Sequence, residues 1–352
     1  MHSLSIHGLV FRGQVNAISV DTLRAASPRV PVGLSGTSPP ATYTGFDYSR
    51  LGKLFDTHWM YYHGAAGEIW RSFQPHGSFL SCQGYGQSQL KRKAMLWDTL
   101  LNGHKGTLHW TMPIFINPDL TLSSHGEDLR QWHRELRSGI ARIVIEAKRH
   151  SDPIAILYSQ RSLQAAWITG AGKGDMAVTR YEALYRTKVK DTWISSNEVR
   201  HLGNLDTYCN LLEGANLQYD FVTPTQVIEG GLAAGGYKVL ILPWAMAISD
   251  DEAGALRAFV DRGGLLIADV MPGIMDGHCR TRDHGALDDV FGVTTSGYTP
   301  VKQLARVSWP AGRFAELPLG RTLHNVLAGP TVAGAGAESI GSIAGDGPSR
   351  LS

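Results

Sequence analysis

The side chains that could do acid–base or nucleophilic chemistry in the first 150 positions include the carboxylates Asp21, Asp47, Asp56, Glu68, Asp98 and Asp119, with more on a surface helix, joined by the thiol of Cys82. Two carboxyl groups held close together can divide the roles of general acid, base and nucleophile, whereas a lone one does less. Asp56 sits in Phe55-Asp-Thr-His-Trp59, a stretch expected to be a strand. There it either points toward the mouth of a barrel or pairs with Arg50 or Lys53. Glu68 follows Gly64-Ala-Ala-Gly67 and precedes Trp70 and Arg71. It reads either as a group on a loop over a pocket or as a partner of Arg71.

Other chemistries have weaker signatures. The 14 histidines include His58 and His63, and His104 and His109, each pair five apart. Neither HExxH nor a paired-cysteine spacing accompanies them, so no metal site and no cofactor are expected. Gly170-Ala-Gly-Lys-Gly174 lacks the spacing and the Lys-Ser/Thr ending of a phosphate loop and reads as a connecting loop. The three cysteines, Cys82, Cys209 and Cys279, are scattered and odd in number. That argues against a disulfide framework and for a reducing, cytoplasmic setting.

The elements that must hold these groups fall into two halves. Pro153–Tyr158, Tyr219–Val222, Tyr237–Pro243 and Leu265–Val270 are apolar runs of strand length, as expected of parallel strands covered on both faces. Helical spacing links Val199, Leu202, Leu205, Tyr208 and Leu212. Ser249-Asp-Asp-Glu252 is a capping box that starts a helix ending at Gly263-Gly264. Strand, helix, strand with short connections predicts a doubly wound, mostly parallel sheet. Upstream, Val30–Leu34, Leu54–Tyr62, Gly77–Gln83 and Gly106–Met112 are candidate strands, with helices over Lys91–Leu101 and Glu127–Ser138. Strand and helix in alternation fit part of a (β/α) barrel, but about 250 residues make a whole one, and only half fits before Pro153. The expected organisation is 1–150 half barrel, 151–328 doubly wound domain and 329–352 a flexible, Gly/Ala/Ser-rich tail.

Bulk composition agrees with a globular α/β chain. In 352 residues, 43% are hydrophobic, 18% charged, and 33 basic against 31 acidic side chains leave +2. Such a balance gives no reason to expect nucleic acid or an anionic membrane as partner. Met1–Val10 lacks a basic run followed by an apolar core, and the longest apolar stretch, Val239–Ile248, contains Pro243 and is too short to span a bilayer.

Trp97-Asp-Thr-Leu-Leu-Asn-Gly103, Gly106-Thr-Leu-His-Trp110 and Asn117-Pro-Asp119 resemble the last barrel strand and its surroundings in β-galactosidases of glycoside hydrolase family 42. Pro153 to about Val293 resembles the trimerisation domain that follows the barrel there, which has the fold of a class I glutamine amidotransferase without its active site. The resemblance implies hydrolysis of O-glycosidic bonds, a carbohydrate substrate and a homotrimer. It aligns the four upstream strands with barrel strands five to eight, so the strand bearing the acid/base glutamate would lie upstream of Met1.

A retaining glycosidase needs two carboxyl groups about 5–5.5 Å apart. If Gly77–Gln83 is the seventh strand, its end, Ser81-Cys82-Gln83-Gly84, offers none where the nucleophile is expected. Cys82 there is either a nucleophilic thiol without an evident base or a buried, inert one. The resemblance therefore implies a chain that is inactive alone. Aromatic side chains at strand ends, Trp59, Tyr61, Tyr62, Trp70, Tyr85 and Trp110, provide flat faces that stack on sugars or else fill a core. Trp110, with Trp59, Trp70 and Tyr85, is the expected substrate contact. Neither Cys209, inside a helix, nor Cys279, in Gly277-His-Cys-Arg280, sits on the tight strand-to-helix turn an amidotransferase nucleophile requires.

Overall fold

The computed structural model describes residues 2–37, 40, 46–61, 65–74, 78–83, 88–109, 112–170, 196–269 and 271–295, then 299–300, 305–308, 322–323, 327–328, 331–333, 337 and 342–345. The chain forms two compact units, one of Met1–Asp152 with Trp167–Phe221, the other of Pro153–Ala166 with Val222–Ser352.

In the first unit a long helix α1 (His2–Ala26) precedes four parallel strands, β1 (Gly33–Thr37), β2 (Thr57–Tyr61), β3 (Ser78–Gln83) and β4 (Gly106–His109). They lie side by side in chain order. Between them run α2 (Tyr48–Leu51), α3 (Ala66–Phe73) and α4 (Gln89–Leu101). After β4 come α5 (Met112–Phe115), α6 (Ser124–Glu135), a π turn and α7 (Ala141–Glu146). Sequential order with a helix after each strand means every crossover turns the same way, as in a barrel wall. Among the described residues, β1 and β4 are each paired along one edge.

Local chemistry explains where these helices begin and what they bury. Ser88 caps α4 by accepting from Lys91 N at 3.3 Å, and Ser123 caps α6 by accepting from Gly126 N at 3.1 Å. Leu96 and Leu100 of α4 meet Trp132 of α6 and Leu136 in one apolar cluster. Leu101 is exposed. It lies one residue on from Leu100, about 100° round the helix.

The other sheet has the order β6-β5-β7-β8, from β5 (Ile154–Leu157), β6 (Asp220–Val222), β7 (Val239–Leu242) and β8 (Leu265–Ala268). β5, β7 and β8 are parallel. All four residues of β5 are buried, as an apolar strand covered on both faces requires. The helices α8 (Gln160–Gly170), α9 (Ser196–Gly214) and α10 (Asp250–Asp261) connect them. The Ser249–Glu252 capping box is formed in both directions. Gly263, at φ +87, reverses the chain into β8, a conformation that costs glycine little. Leu240, Leu242, Leu256, Phe259 and Leu287 lie in the core between sheet and helix.

Beyond Gly329, where no structure is expected from composition, Thr331–Ala333 pairs antiparallel with Val293–Thr295, and Ser342–Gly345 with Ala305–Ser308. Thr331, Val332 and Ile343 supply β-branched residues to these strands. Among the described residues no helix is long and apolar enough to cross a membrane.

Candidate functional site

In a sheet of parallel strands, ligands and reacting groups gather at the C-terminal ends. In the first unit those ends are Tyr61 on β2, Cys82 and Gln83 on β3, and His109 on β4. Cys82 stands in register between Tyr61 and Leu108, and Gln83 beside His109. None of the four strands carries an Asp or Glu. Trp110, Tyr85 and Tyr62 lie outside the described residues. Trp59 lies within β2, half-buried, in register with Ser35 and Leu80.

The two carboxylates singled out from sequence are elsewhere. Asp56 precedes β2 rather than lying in it, at the end of the sheet away from the mouth. Its Oδ2 accepts from Val32 N at 2.9 Å, and its Oδ1 pairs with Arg24 at 3.0 Å. Arg50 pairs instead with Asp47 at 3.4 Å. Asp56 thus ties the entry of β2 to the entry of β1 and to the last turn of α1.

Glu68 is on α3, not on a loop, and is 4% exposed. Its Oε2 accepts from Arg71 Nη2 at 2.8 Å and Nε at 2.9 Å, and from Arg149 Nη2 at 3.2 Å. Arg71 continues to Asp220 Oδ1 at 2.9 Å and to the Tyr219 carbonyl at 2.7 Å. Burial works against the Arg71 charge, but Glu68 and Asp220 outweigh it and raise its pKa. Phe221 N donates to Ser72 Oγ at 2.9 Å, so α3 holds the 219–221 segment by three contacts. Such a carboxylate is committed to a structural ion network.

Trp70, expected at a sugar site, is fully buried on the same helix. Its Nε1 donates to Gln74 Oε1 at 2.6 Å, and its ring meets Tyr48 edge-on at 5.3 Å and His58 at 3.7 Å. It is therefore a core residue in this fold. His58 and His104, weighed in the sequence only for metal spacing, are buried in this unit. His58 is 0% exposed and burial holds its pKa down to about 3. His104, 1% exposed, is also held to about 3, by burial first and then by the charges of His58 and Arg71.

In the second unit the crevice to examine lies beyond β5 and β7, where the strand order reverses. After the ends of β7 and β8, Trp244, Met246, Ala247, Met271, Ile274 and Met275 form one buried apolar cluster with Ala165. Ser162 Oγ accepts from Ala247 N at 3.2 Å. The thiol of Cys279 touches this cluster, donates to Arg161 O at 3.5 Å and is pushed up to about 11 by burial and then by Asp276. Burial likewise raises Cys209, which is 4% exposed in α9. Both stay thiols at neutral pH and are poor nucleophiles. An open recess lies elsewhere, lined by Asp250, Arg257, Arg282 and His284, with its guanidiniums already paired to Asp289 and Asp250. Among the described residues no group of three or more His, Cys, Asp or Glu could hold a metal ion.

A run of parallel β/α units followed by a doubly wound parallel sheet defines an α/β protein. Residues 177–328 match the model of the β-galactosidase trimerisation domain of glycoside hydrolase family 42. The chain is 30% identical over 107 residues to the β-galactosidase BgaB of Geobacillus sp. (strain Y412MC61), a match covering 30% of this chain and 15% of that one. Its fold resembles that of the β-galactosidase from Rahnella sp. R3 at a TM-score of 0.72 and 13% identity, over 97% of this chain and 52% of the other. It also resembles Gan42B, a family 42 β-galactosidase, at a TM-score of 0.65 and 17% identity, over 91% of this chain and 48% of the other. The enzyme of Halorubrum lacusprofundi gives 0.64 and 15%, over 96% and 51%. The chain thus resembles family 42 β-galactosidases in fold and in its trimerisation-domain segment, and it spans about half the length of these solved relatives.

Proposed function

We propose that this chain contributes the later strands of a family 42 glycosidase barrel and its assembly domain, in an enzyme that hydrolyses O-glycosidic bonds of β-galactoside type. The observation that carries the reading is the order of its parts. Four parallel strands in chain order precede a segment matching the trimerisation domain. On this reading 1–150 is a half barrel and 151–328 an amidotransferase-like domain that associates as a homotrimer in the reducing cytoplasm. Its partners are a carbohydrate and two further copies, with no nucleic acid or membrane.

Hydrolysis needs a nucleophile and an acid/base. Among the described residues none of the four strands carries an Asp or Glu, and we propose that the chain alone is inactive. That same absence favours the alternative reading, a non-catalytic self-association module.

A hybrid separates the two. The upstream barrel half of the Rahnella sp. R3 enzyme would be joined ahead of Gly33, and galactose binding read from tryptophan fluorescence. A saturable response, weakened by Trp59→Ala, supports a sugar-lining barrel. A folded hybrid blind to galactose overturns it and leaves the association module.

A further inference from the structure

At the C-terminal end of β4, two imidazoles converge. His133, on α6, places its Nε2 3.4 Å from Nε2 of His109, with the ring planes at 90°. Thr107 Oγ1 lies 3.0 Å from the same His109 nitrogen. The edge of Phe115 packs on His109, with ring centroids 5.5 Å apart, and steadies it. One Nε2 therefore faces two polar atoms, and it has only one proton or one lone pair in its plane to offer.

The spacing says what fits. At 3.4 Å the two nitrogens are farther apart than a well-formed hydrogen bond of about 2.7–3.2 Å. Two nitrogens bound to one tetrahedral metal at about 2.0–2.1 Å stand about 3.3–3.4 Å apart. We propose that His109 and His133 bind one divalent cation of the imidazole-preferring kind, Zn²⁺ or Cu²⁺, with the Thr107 hydroxyl or water completing the shell.

Bound there, the cation clamps the end of β4 to α6, immediately before Trp110 in the chain. Both rings are half-buried, so ions reach them. Burial and the charge of His133 hold His109 at about 4, which leaves it a lone-pair donor at neutral pH. Arg137, one turn beyond His133 and close enough to lower its pKa, is the opposing charge at the site. It weakens the site without blocking it.

The test uses the full 352-residue chain, stripped with chelator and titrated with Cu²⁺ and Zn²⁺. One Cu²⁺ should bind with two imidazole nitrogens visible by electron paramagnetic resonance. His133→Gln should weaken it roughly tenfold or more, while the exposed His125→Gln leaves it unchanged. Arg137→Gln should tighten it. If His133→Gln disturbs folding, His133→Cys with Co²⁺ should give a sulfur-to-cobalt charge-transfer band. Equal Cu²⁺ affinity in the folded His133→Gln chain, or a spectrum without two imidazoles, would overturn the assignment.

Discussion

Arg71 Nη1 lies 2.9 Å from Asp220 Oδ1, joining residues 149 positions apart inside one compact unit. The Arg71 side chain is 10% exposed and is shared with Glu68, whose side chain is 5% exposed. Removing one member of a buried pair strands the other charge, at about 3–5 kcal/mol. Glu68→Ala leaves Arg71 paired with Asp220, so it should lower unfolding free energy by the lower end of that range, about 3 kcal/mol. Glu68→Gln keeps the shape and should cost less, about 1–3 kcal/mol. Urea unfolding followed by circular dichroism gives both numbers. A Glu68→Ala chain as stable as the parent would show the network to be worth nothing.

The same contact bears on where the chain can be cut. A piece ending before Pro153 keeps Arg71 but loses Tyr219, Asp220 and Asp206, whose Oδ1 accepts from Ala65 N at 2.8 Å just ahead of α3. Among the described residues β1 and β4 are each paired along one edge only, which adds to the tendency of such a piece to associate. That piece should bind a hydrophobic dye and melt without cooperativity. A cooperative melt with native near-ultraviolet dichroism would contradict the division of the chain found here.

Acid should loosen the first unit before it touches its carboxylates. His58 and His104 titrate at about 3 when folded, against about 6.5 when unfolded. As pH falls below the unfolded value, the unfolded chain gains protons that the native one refuses. Stability present above about pH 6.5 is thus lost toward pH 3, by up to ~1.4 kcal/mol per pH unit for each histidine. Unfolding midpoints between pH 7.5 and 4.5 should slope accordingly, and His58→Phe should reduce the slope. A flat profile over that range would refute the buried neutral state of both rings.

What sequence made legible follows from the range of the interactions. The strands β5 and β7 are read from short apolar runs, and the Ser249 cap from four adjacent residues. The upstream strands were placed to within a few residues. Glu68 misled because Gly64-Ala-Ala-Gly67 looks like a loop, yet Ile69, Trp70 and Phe73 carry helical spacing and Ile69 and Trp70 are buried. Its environment depends on Asp220 and Arg149, contacts between residues far apart in the chain that no local pattern encodes. The buried apolar cluster after β7 and β8 was foreshadowed only indirectly, by cysteines lacking a nucleophile turn.

Assembly is testable without knowing the substrate. The segment matching the trimerisation domain contains α9, β7, α10 and β8, and buried apolar side chains cluster after the ends of β7 and β8. The resemblance of this segment to a trimerisation domain makes a homotrimer the expected assembly. Sedimentation velocity at micromolar concentration should show one species at three times the chain mass. A stable monomer under those conditions would defeat this expectation.

The chemistry comes last because it depends on a strand end. Cys82 occupies the C-terminal end of β3, in register with Tyr61 and Leu108, where the family resemblance calls for a carboxylate nucleophile. A neutral thiol cannot stabilise an oxocarbenium-like transition state as a carboxylate does. The 352-residue chain should therefore hydrolyse nitrophenyl β-galactoside no faster than buffer. Adding an upstream half barrel should not suffice while Cys82 remains. Combined with Cys82→Glu it should give turnover, because both carboxylates that the reaction needs would then be present. Turnover by the unmodified chain would mean that the nucleophile lies elsewhere. Its loss in Asp56→Asn but not in Cys82→Ser would then move the catalytic end of the sheet to the side where Asp56 binds Arg24.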